Sequence, residues 1–274
     1  MYGKAIELFL ANGTADSLVT AELSNWNGKA IKIPRIEVAN CNRKDIHGVG
    51  VYFLFCQEDD GTDSVYIGEA EDVHKRLMQH LQDYKICTEE YYWNTAVVFI
   101  GSDLNKALIR YLEHHLVKIA RECDRFKVLT KTTYKNTVLK EAQTASMEEF
   151  IDNIKILINT LGYRVLVPAP QAADDTIYLY CQGSGALAKG FVSANGFTVL
   201  SGSVISDHTT PSFKKHSYHK LRSQLVKSDL IKDNVFQKDY EFNSPSAASA
   251  MIWGRASNGN TDWKTEDGKK LKEL

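Results

Sequence analysis

Several features that would assign this chain quickly are missing from its 274 residues. No apolar run of about eighteen or more exists, so no segment predicts a transmembrane helix. The opening "MYGKAIELFLANG" lacks a basic stretch leading into a long apolar core, and so does not read as a signal peptide. Cysteine is scarce. The five present (Cys41, Cys56, Cys87, Cys123, Cys181) are scattered, odd in number and never spaced C-x-x-C. That argues against a disulfide framework and a structural zinc site, and predicts a reducing, cytoplasmic setting. A formal net charge of −1 offers no general attraction for nucleic acid, so any such binding must rest on local basic patches. Internal repeats and low-complexity tracts are absent as well.

What is present reads as two α/β (α+β) units. Over the first 46 residues, "AIELFLANG" and "KAIKIPRIEV" alternate apolar and polar residues, with Asn-Gly pairs at 12–13 and 27–28. These predict strands and tight turns, a β-rich N-terminal extension whose Pro34 points to an edge position. Residues 50–55 and 65–70 are apolar runs around "QEDDGTDS", whose Asp-Gly pair at 60–61 signals a hairpin. "DVHKRLMQHLQDY" follows with helical spacing and Asp72 as N-cap, then a strand at 95–101. "LNKALIRYLEHHLVKIARE" is the strongest helix, with Leu108, Leu112, Leu116 and Ile119 in one stripe. A further helix over 147–163 ends at Gly162, and the proline-bearing "VPAPQAADDT" reads as an interdomain linker. The boundaries expected are therefore an extension over 1–46, a central domain over 47–135, a connecting helix and linker over 136–174, and an α+β domain over 175–274.

The central domain carries the candidate chemistry. Gly50-Val51-Tyr52 and Tyr66-Ile67-Gly68 mirror each other across the polar turn, and a hairpin folded near 59–60 sets Tyr52 opposite Tyr66 on one sheet face. The glycines would leave bare backbone there for an anionic ligand. Arg76 and His80, four residues apart, share a helix face that starts just past Gly68. Two phenols, a planar cationic fork and an imidazole suit a phosphodiester. Glu113 sits among Ile109, Leu112, Leu116 and Val117; a carboxylate so placed needs a cation, either a bound metal or Arg110 one turn away.

In this order and spacing these elements resemble the GIY-YIG nuclease family over about residues 48 to 122, with Val51 in place of the usual isoleucine. The resemblance implies a compact domain with a small three-stranded antiparallel sheet flanked by helices, cleaving nucleic acid, DNA in preference to RNA, with one divalent ion, Mg²⁺ or Mn²⁺. It implies Glu113 as the metal ligand and Arg76 as the stabiliser of transition-state charge. Tyr52 would orient or deprotonate the attacking water and Tyr66 would complete the hydrogen bonds. A phenol serving as base needs a nearby cation to lower its pKa, for which His80, Lys75 or the metal are candidates. Asn136, in "TYKNTVL", is a candidate for the asparagine that the family often places after the glutamate helix. Gly50, Gly68 and Lys75 join it on the substrate side.

The segment 175–274, with "FNSPSAASAMIWGRASNGNTDWKTEDGKKL", resembles a C-terminal domain of unknown function often joined to bacterial GIY-YIG nucleases. It also resembles a module associated with restriction and DNA-modification proteins. His208, His216 and His219 lack partners at metal-ligand spacing. Residues 214–232 hold Lys214, Lys215, Lys220, Arg222, Lys227 and Lys232 against the single acid Asp229. That stretch reads either as a solvated helix face or as a phosphate-contacting patch. The leading reading is a metal-dependent endonuclease with a DNA-targeting C-terminal domain; the alternative is a binding protein that kept the fold without turnover.

Overall fold

The computed structural model describes residues 3–58, 62–134, 137–168, 170–213, 217–227 and 230–274. The chain divides into two compact units, Met1–Pro168 and Ala169–Leu274.

In the first unit the elements run β1 (Ile6–Leu10), β2 (Val19–Leu23), β3 (Gly28–Pro34), α1 (Arg35–Val38), β4 (Gly50–Gln57), β5 (Asp63–Ala70), α2 (Val73–Lys85), β6 (Trp93–Gly101), α3 (Lys106–Cys123), β7 (Lys127–Val128) and α4 (Glu141–Thr160). One seven-stranded sheet has the order β1-β2-β3-β6-β4-β5-β7, antiparallel throughout except for the β5–β7 pair. The three strands anticipated around the motif, β4, β5 and β6, lie side by side in it in the order β6-β4-β5. The N-terminal strands continue the same sheet through a seven-residue pairing of β3 with β6. Pro34 does not mark an edge strand. It is the last residue of β3, an interior strand, at the point where the chain turns into α1.

Helices cover both faces of the sheet, which explains why β4 reads as an unbroken apolar run. Val51, Phe53, Phe55, Val65 and Ile67 pack with Leu112 and Leu116 of α3 and Ile154 and Leu157 of α4. On the other face Tyr52, Leu54 and Cys56 pack with Val73 and Leu77 of α2, and with Val38 and Ile46. Each such side chain contributes about 1.5–3 kcal/mol relative to exposure, so the register of β4 is strongly held. Helix starts follow their caps. Asp72 accepts from the Lys75 amide at 2.9 Å, and Asn105 accepts from Ala107 and Leu108.

The second unit runs β8 (Leu179–Gly183), β9 (Ala186–Ser193), β10 (Gly196–Val199), α5 (Ser217–Lys227), β11 (Ile231–Lys232), β12 (Val235–Phe236), β13 (Tyr240–Phe242), α6 (Pro245–Trp253) and α7 (Gly259–Asp262). A four-stranded antiparallel sheet, β13-β10-β9-β8, packs its apolar face on α6. Ser244 caps α6 by accepting from Ala247, Pro245 occupies its first turn, and Gly254 ends it at φ 63°. Trp263 is fully buried against Phe197, its indole N–H donating to the Pro245 carbonyl at 3.0 Å. Among the described residues no helix is long and apolar enough to cross a membrane.

Candidate active site

The hairpin register places Tyr52 opposite Gly68 and Leu54 opposite Tyr66, so the two tyrosines are diagonal rather than opposed. They still share a face, and their rings stack with centroids 6.2 Å apart. The shift by two residues keeps the alternation intact, so the face is right and the partner is wrong. The Asp-Gly pair at 60–61 lies outside the described residues.

The glycines are not bare backbone for a ligand. A Cβ on Gly68 would lie 2.5 Å from the Tyr52 hydroxyl oxygen and 2.9 Å from the Tyr66 ring. On Gly50 it would lie 2.5 Å from the Phe99 carbonyl oxygen. Gly68 is therefore small because Tyr52 lies across it, and Gly50 because β6 runs against it. Neither is open to substrate, which corrects the substrate-side reading of both.

Tyr52 is buried, and its hydroxyl stands between two partners. Arg76 Nε donates to it at 3.3 Å, and His80 Nε2 lies 2.9 Å away. His80 is buried as well, its Nδ1 paired with the Glu89 carboxylate. Burial, then Tyr66, raise the Tyr52 pKa; Arg76 opposes the rise and Glu113 adds to it. The cation beside Tyr52 is thus Arg76, while Lys75 is exposed. Arg76 is half-buried rather than on an exposed helix face. Burial works against its charge, but the Tyr52 and Tyr66 hydroxyls prevail and hold its pKa above the ordinary value.

Glu113 belongs to α3, on the sheet face away from α2, yet its charge reaches Tyr52. Its side chain is buried and Oε2 has no hydrogen-bond partner among the described residues. Burial, reinforced by the Glu69 carboxylate and opposed by Arg110, pushes its pKa up to about 7. Arg110 is engaged elsewhere: its Nε lies 3.7 Å from Glu69, and its guanidinium sits 4.0 Å over the Tyr134 ring. No ion pair links it to Glu113 among the described residues. A buried carboxylate with a spare oxygen and no committed cation is a donor that a hard divalent ion could use, water and phosphate completing the shell. The residues therefore fit the metal that the sequence resemblance implied, with one protein carboxylate as ligand; no group of three or more His, Cys, Asp or Glu is assembled for a metal among the described residues.

β7 pairs only with Ser64 and Val65, and beyond them the Thr130 hydroxyl replaces a strand by accepting from the Ile67 amide at 2.8 Å and donating to its carbonyl at 2.7 Å. Asn136, Lys214 and Lys215 lie outside the described residues. In the second unit Lys220 is exposed on α5. Arg222 is not: it is buried, donating from Nη1 to the Met251 carbonyl at 2.7 Å and from Nη2 to the Ser206 carbonyl. It holds an α6 carbonyl that the helix leaves unpaired and is not available to a phosphate.

Sequence reasoning missed two residues of this site, Glu89 and Glu69, and Thr130, which closes the edge of β5. Glu89 lies nine positions after His80, outside any helical period, and is carried there by the turn ending α2, where the Asp83 carbonyl accepts from the Thr88 and Glu89 amides. Glu69 follows the second motif directly, but nothing in its spacing ties it to α3. Thr130 stands in an irregular stretch with no pattern.

Residues 48–126 match the family model described as GIY-YIG catalytic domain. Residues 179–274 match the model described as Domain of unknown function (DUF4357). No curated protein and no solved structure matches the chain. The chain carries a GIY-YIG domain with this second domain C-terminal to it, the architecture and mixed α/β fold that the sequence resemblance implied. The first of these is a nuclease-type domain, which implies a nucleic-acid substrate.

Proposed function

We propose that the protein is a metal-dependent endonuclease that hydrolyses phosphodiester bonds of DNA. The observation that carries this reading is the joining of an arginine, a tyrosine and a histidine in one hydrogen-bonded row, within electrostatic reach of a buried carboxylate that lacks a partner. A purely structural tyrosine would not need a cationic fork, and a purely structural glutamate in this position would have taken Arg110.

Arg76 binds the phosphate oxygens and offsets the charge that builds in the transition state, as a planar donor pair already oriented by Tyr52. Tyr52 holds the attacking water and takes its proton, passing its own to His80 Nε2. Tyr66, stacked beside it, completes the hydrogen bonds to the water or phosphate. Glu113 would hold a divalent ion, Mg²⁺ or Mn²⁺, which would supply charge neutralisation at the phosphate and aid departure of the leaving oxygen. Glu113 remains deprotonated and ready for it above about pH 7. The DUF4357 domain adds DNA affinity through exposed lysines such as Lys220, in the manner of non-specific phosphate contacts.

The test is incubation of the full chain with supercoiled, branched and single-stranded DNA, and with RNA, in Mg²⁺, Mn²⁺ or EDTA. Metal-dependent scission of DNA is expected. Scission of RNA alone would replace the substrate, and an inert protein that still binds DNA in EDTA would favour the non-catalytic reading.

A further inference from the structure

Behind the tyrosine and histidine stands a group that neither the motif nor the proposed chemistry uses. The Glu89 side chain is 8% exposed, from a loop rather than from a motif element. One of its oxygens, Oε2, pairs with His80 Nδ1, while Oε1 has no hydrogen-bond partner among the described residues. The Tyr91 hydroxyl is a second hydrogen-bond partner of this carboxylate. A carboxylate hidden from water is costly, and costs least if one of its partners becomes a cation. His80 is placed to do so. Its other nitrogen, Nε2, faces the Tyr52 hydroxyl at 2.9 Å.

We propose that Glu89 is a positioning residue for proton transfer, fixing His80 in the tautomer protonated at Nδ1 and stabilising its imidazolium form, so that Nε2 accepts the Tyr52 proton during catalysis. This rests on the nuclease reading above and adds the group that holds its proton acceptor in place. In the step, the water O–H bond breaks as its oxygen forms a bond to phosphorus. Meanwhile the bond from phosphorus to the leaving oxygen breaks, and that oxygen departs as an alkoxide that takes a proton from solvent water. The proton of the attacking water goes to the Tyr52 oxygen, and the Tyr52 proton goes to His80 Nε2. Nδ1–H stays hydrogen-bonded to Glu89. Proton count and charge balance: one neutral imidazole becomes an imidazolium beside a carboxylate, and the hydroxide equivalent ends on the phosphate. Tyr52 is neutral before and after.

A resting phenolate is not available for this task. Burial and Tyr66 both disfavour it, Glu113 adds to that, and Arg76 compensates only in part. A proton can therefore arrive at Tyr52 only as one leaves. The direction of transfer is set by the surroundings of the imidazole. Tyr52 from β4 and Tyr66 from β5 face its ring, with centroids at 5.6 and 5.2 Å. Arg76, on its own helix, is engaged with Tyr52. Tyr91 stacks behind Tyr66, its own hydroxyl raised by burial and by the Glu89 charge. Glu89 is thus the only anion paired with the ring among the described residues, and the one group that makes a charged His80 favourable.

The experiment is long-range ¹H–¹⁵N correlation on the full chain with ¹⁵N-labelled histidine, from pH 5 to 9, beside pH–rate profiles of cleavage. Wild-type His80 should show Nδ1 protonated and Nε2 bare when neutral. Glu89→Gln keeps a hydrogen-bond acceptor without the charge, so the variant should stay folded. Its cleavage should fall at least about tenfold with an altered pH–rate profile. Glu89→Ala should in addition release the tautomer. An Nε2-protonated His80 in the wild type, or a cleavage rate and pH–rate profile unchanged in Glu89→Gln, would each overturn the proposal. A wild-type protein that cleaves nothing but shows the Nδ1-protonated His80, with the tautomer released in Glu89→Ala, would sink the nuclease reading and leave the positioning role of Glu89 standing.

Discussion

Replacing Glu113 by glutamine should make the protein more stable and inactive at once, and the size of the effect follows from where the carboxylate sits. In the folded chain the group titrates at about 7 because burial disfavours its charged form and Glu69 reinforces this. In the unfolded chain it returns to the ordinary carboxylate range near about 4.3. The folded state therefore binds the proton more tightly, so this group's contribution to stability is full below the unfolded pKa. It is lost as pH rises through the folded one. Above about pH 7.5 the whole penalty is present, on the order of 3 kcal/mol at about 1.4 kcal/mol per tenfold change in proton affinity. Glu113→Gln keeps the shape and removes the charge. In EDTA at pH 8 the variant should melt higher, by about 5–10 °C if the whole penalty is relieved. At pH 5 the two proteins should melt within a degree or two of each other. Mg²⁺ at pH 8 should then raise the wild-type melting temperature and leave the variant unmoved, since only the wild type has a site for mass action to fill. Differential scanning calorimetry of both proteins across pH reads all of this. A glutamine variant that melts lower at pH 8, with no pH dependence to the difference, would mean that Glu113 is a paired structural carboxylate and would refute the reasoning.

Three further outcomes are expected. Arg76→Lys should lose most of the cleavage rate while keeping charge, because an ammonium cannot replace a fork held by Tyr52; near-wild-type single-turnover rates would refute this. Arg222→Met should destabilise the C-terminal unit by about 2–4 kcal/mol by leaving two carbonyls unpaired, whereas Lys220→Ala should leave the melting curve within about 0.5 kcal/mol and make the salt dependence of DNA binding shallower. A chain ending at Pro168, the boundary of the first unit, should fold and bind DNA with a lower salt slope than the full chain, measured by titration at several ionic strengths.

The central β-β-α-β-α pattern was legible because periodicity and a cap agreed: Asp72 stands where α2 needs its start. The face shared by Tyr52 and Tyr66 was legible too, since alternation survives any even shift; their exact partners were not, because loop geometry sets the register. The glycines show how a motif can be read backwards. Their smallness answers to a tyrosine ring and a neighbouring strand, neither of which is local in sequence. Arg222 looked like one more charge in a basic run, and only the fold reveals two carbonyls waiting for it. Glu89 was hidden for the opposite reason: it stands in a turn, and only the chain reversal after α2 brings it to His80.

The most direct test of the site is single-turnover cleavage of a supercoiled plasmid in Mg²⁺ and Mn²⁺ by the wild type, Tyr52→Phe, Arg76→Ala and Glu113→Gln, each shown folded by its melting curve. The account predicts metal-dependent nicking by the wild type and a loss of at least about a hundredfold in every variant, with DNA binding in EDTA preserved. Wild-type rates in any one of the three would contradict it.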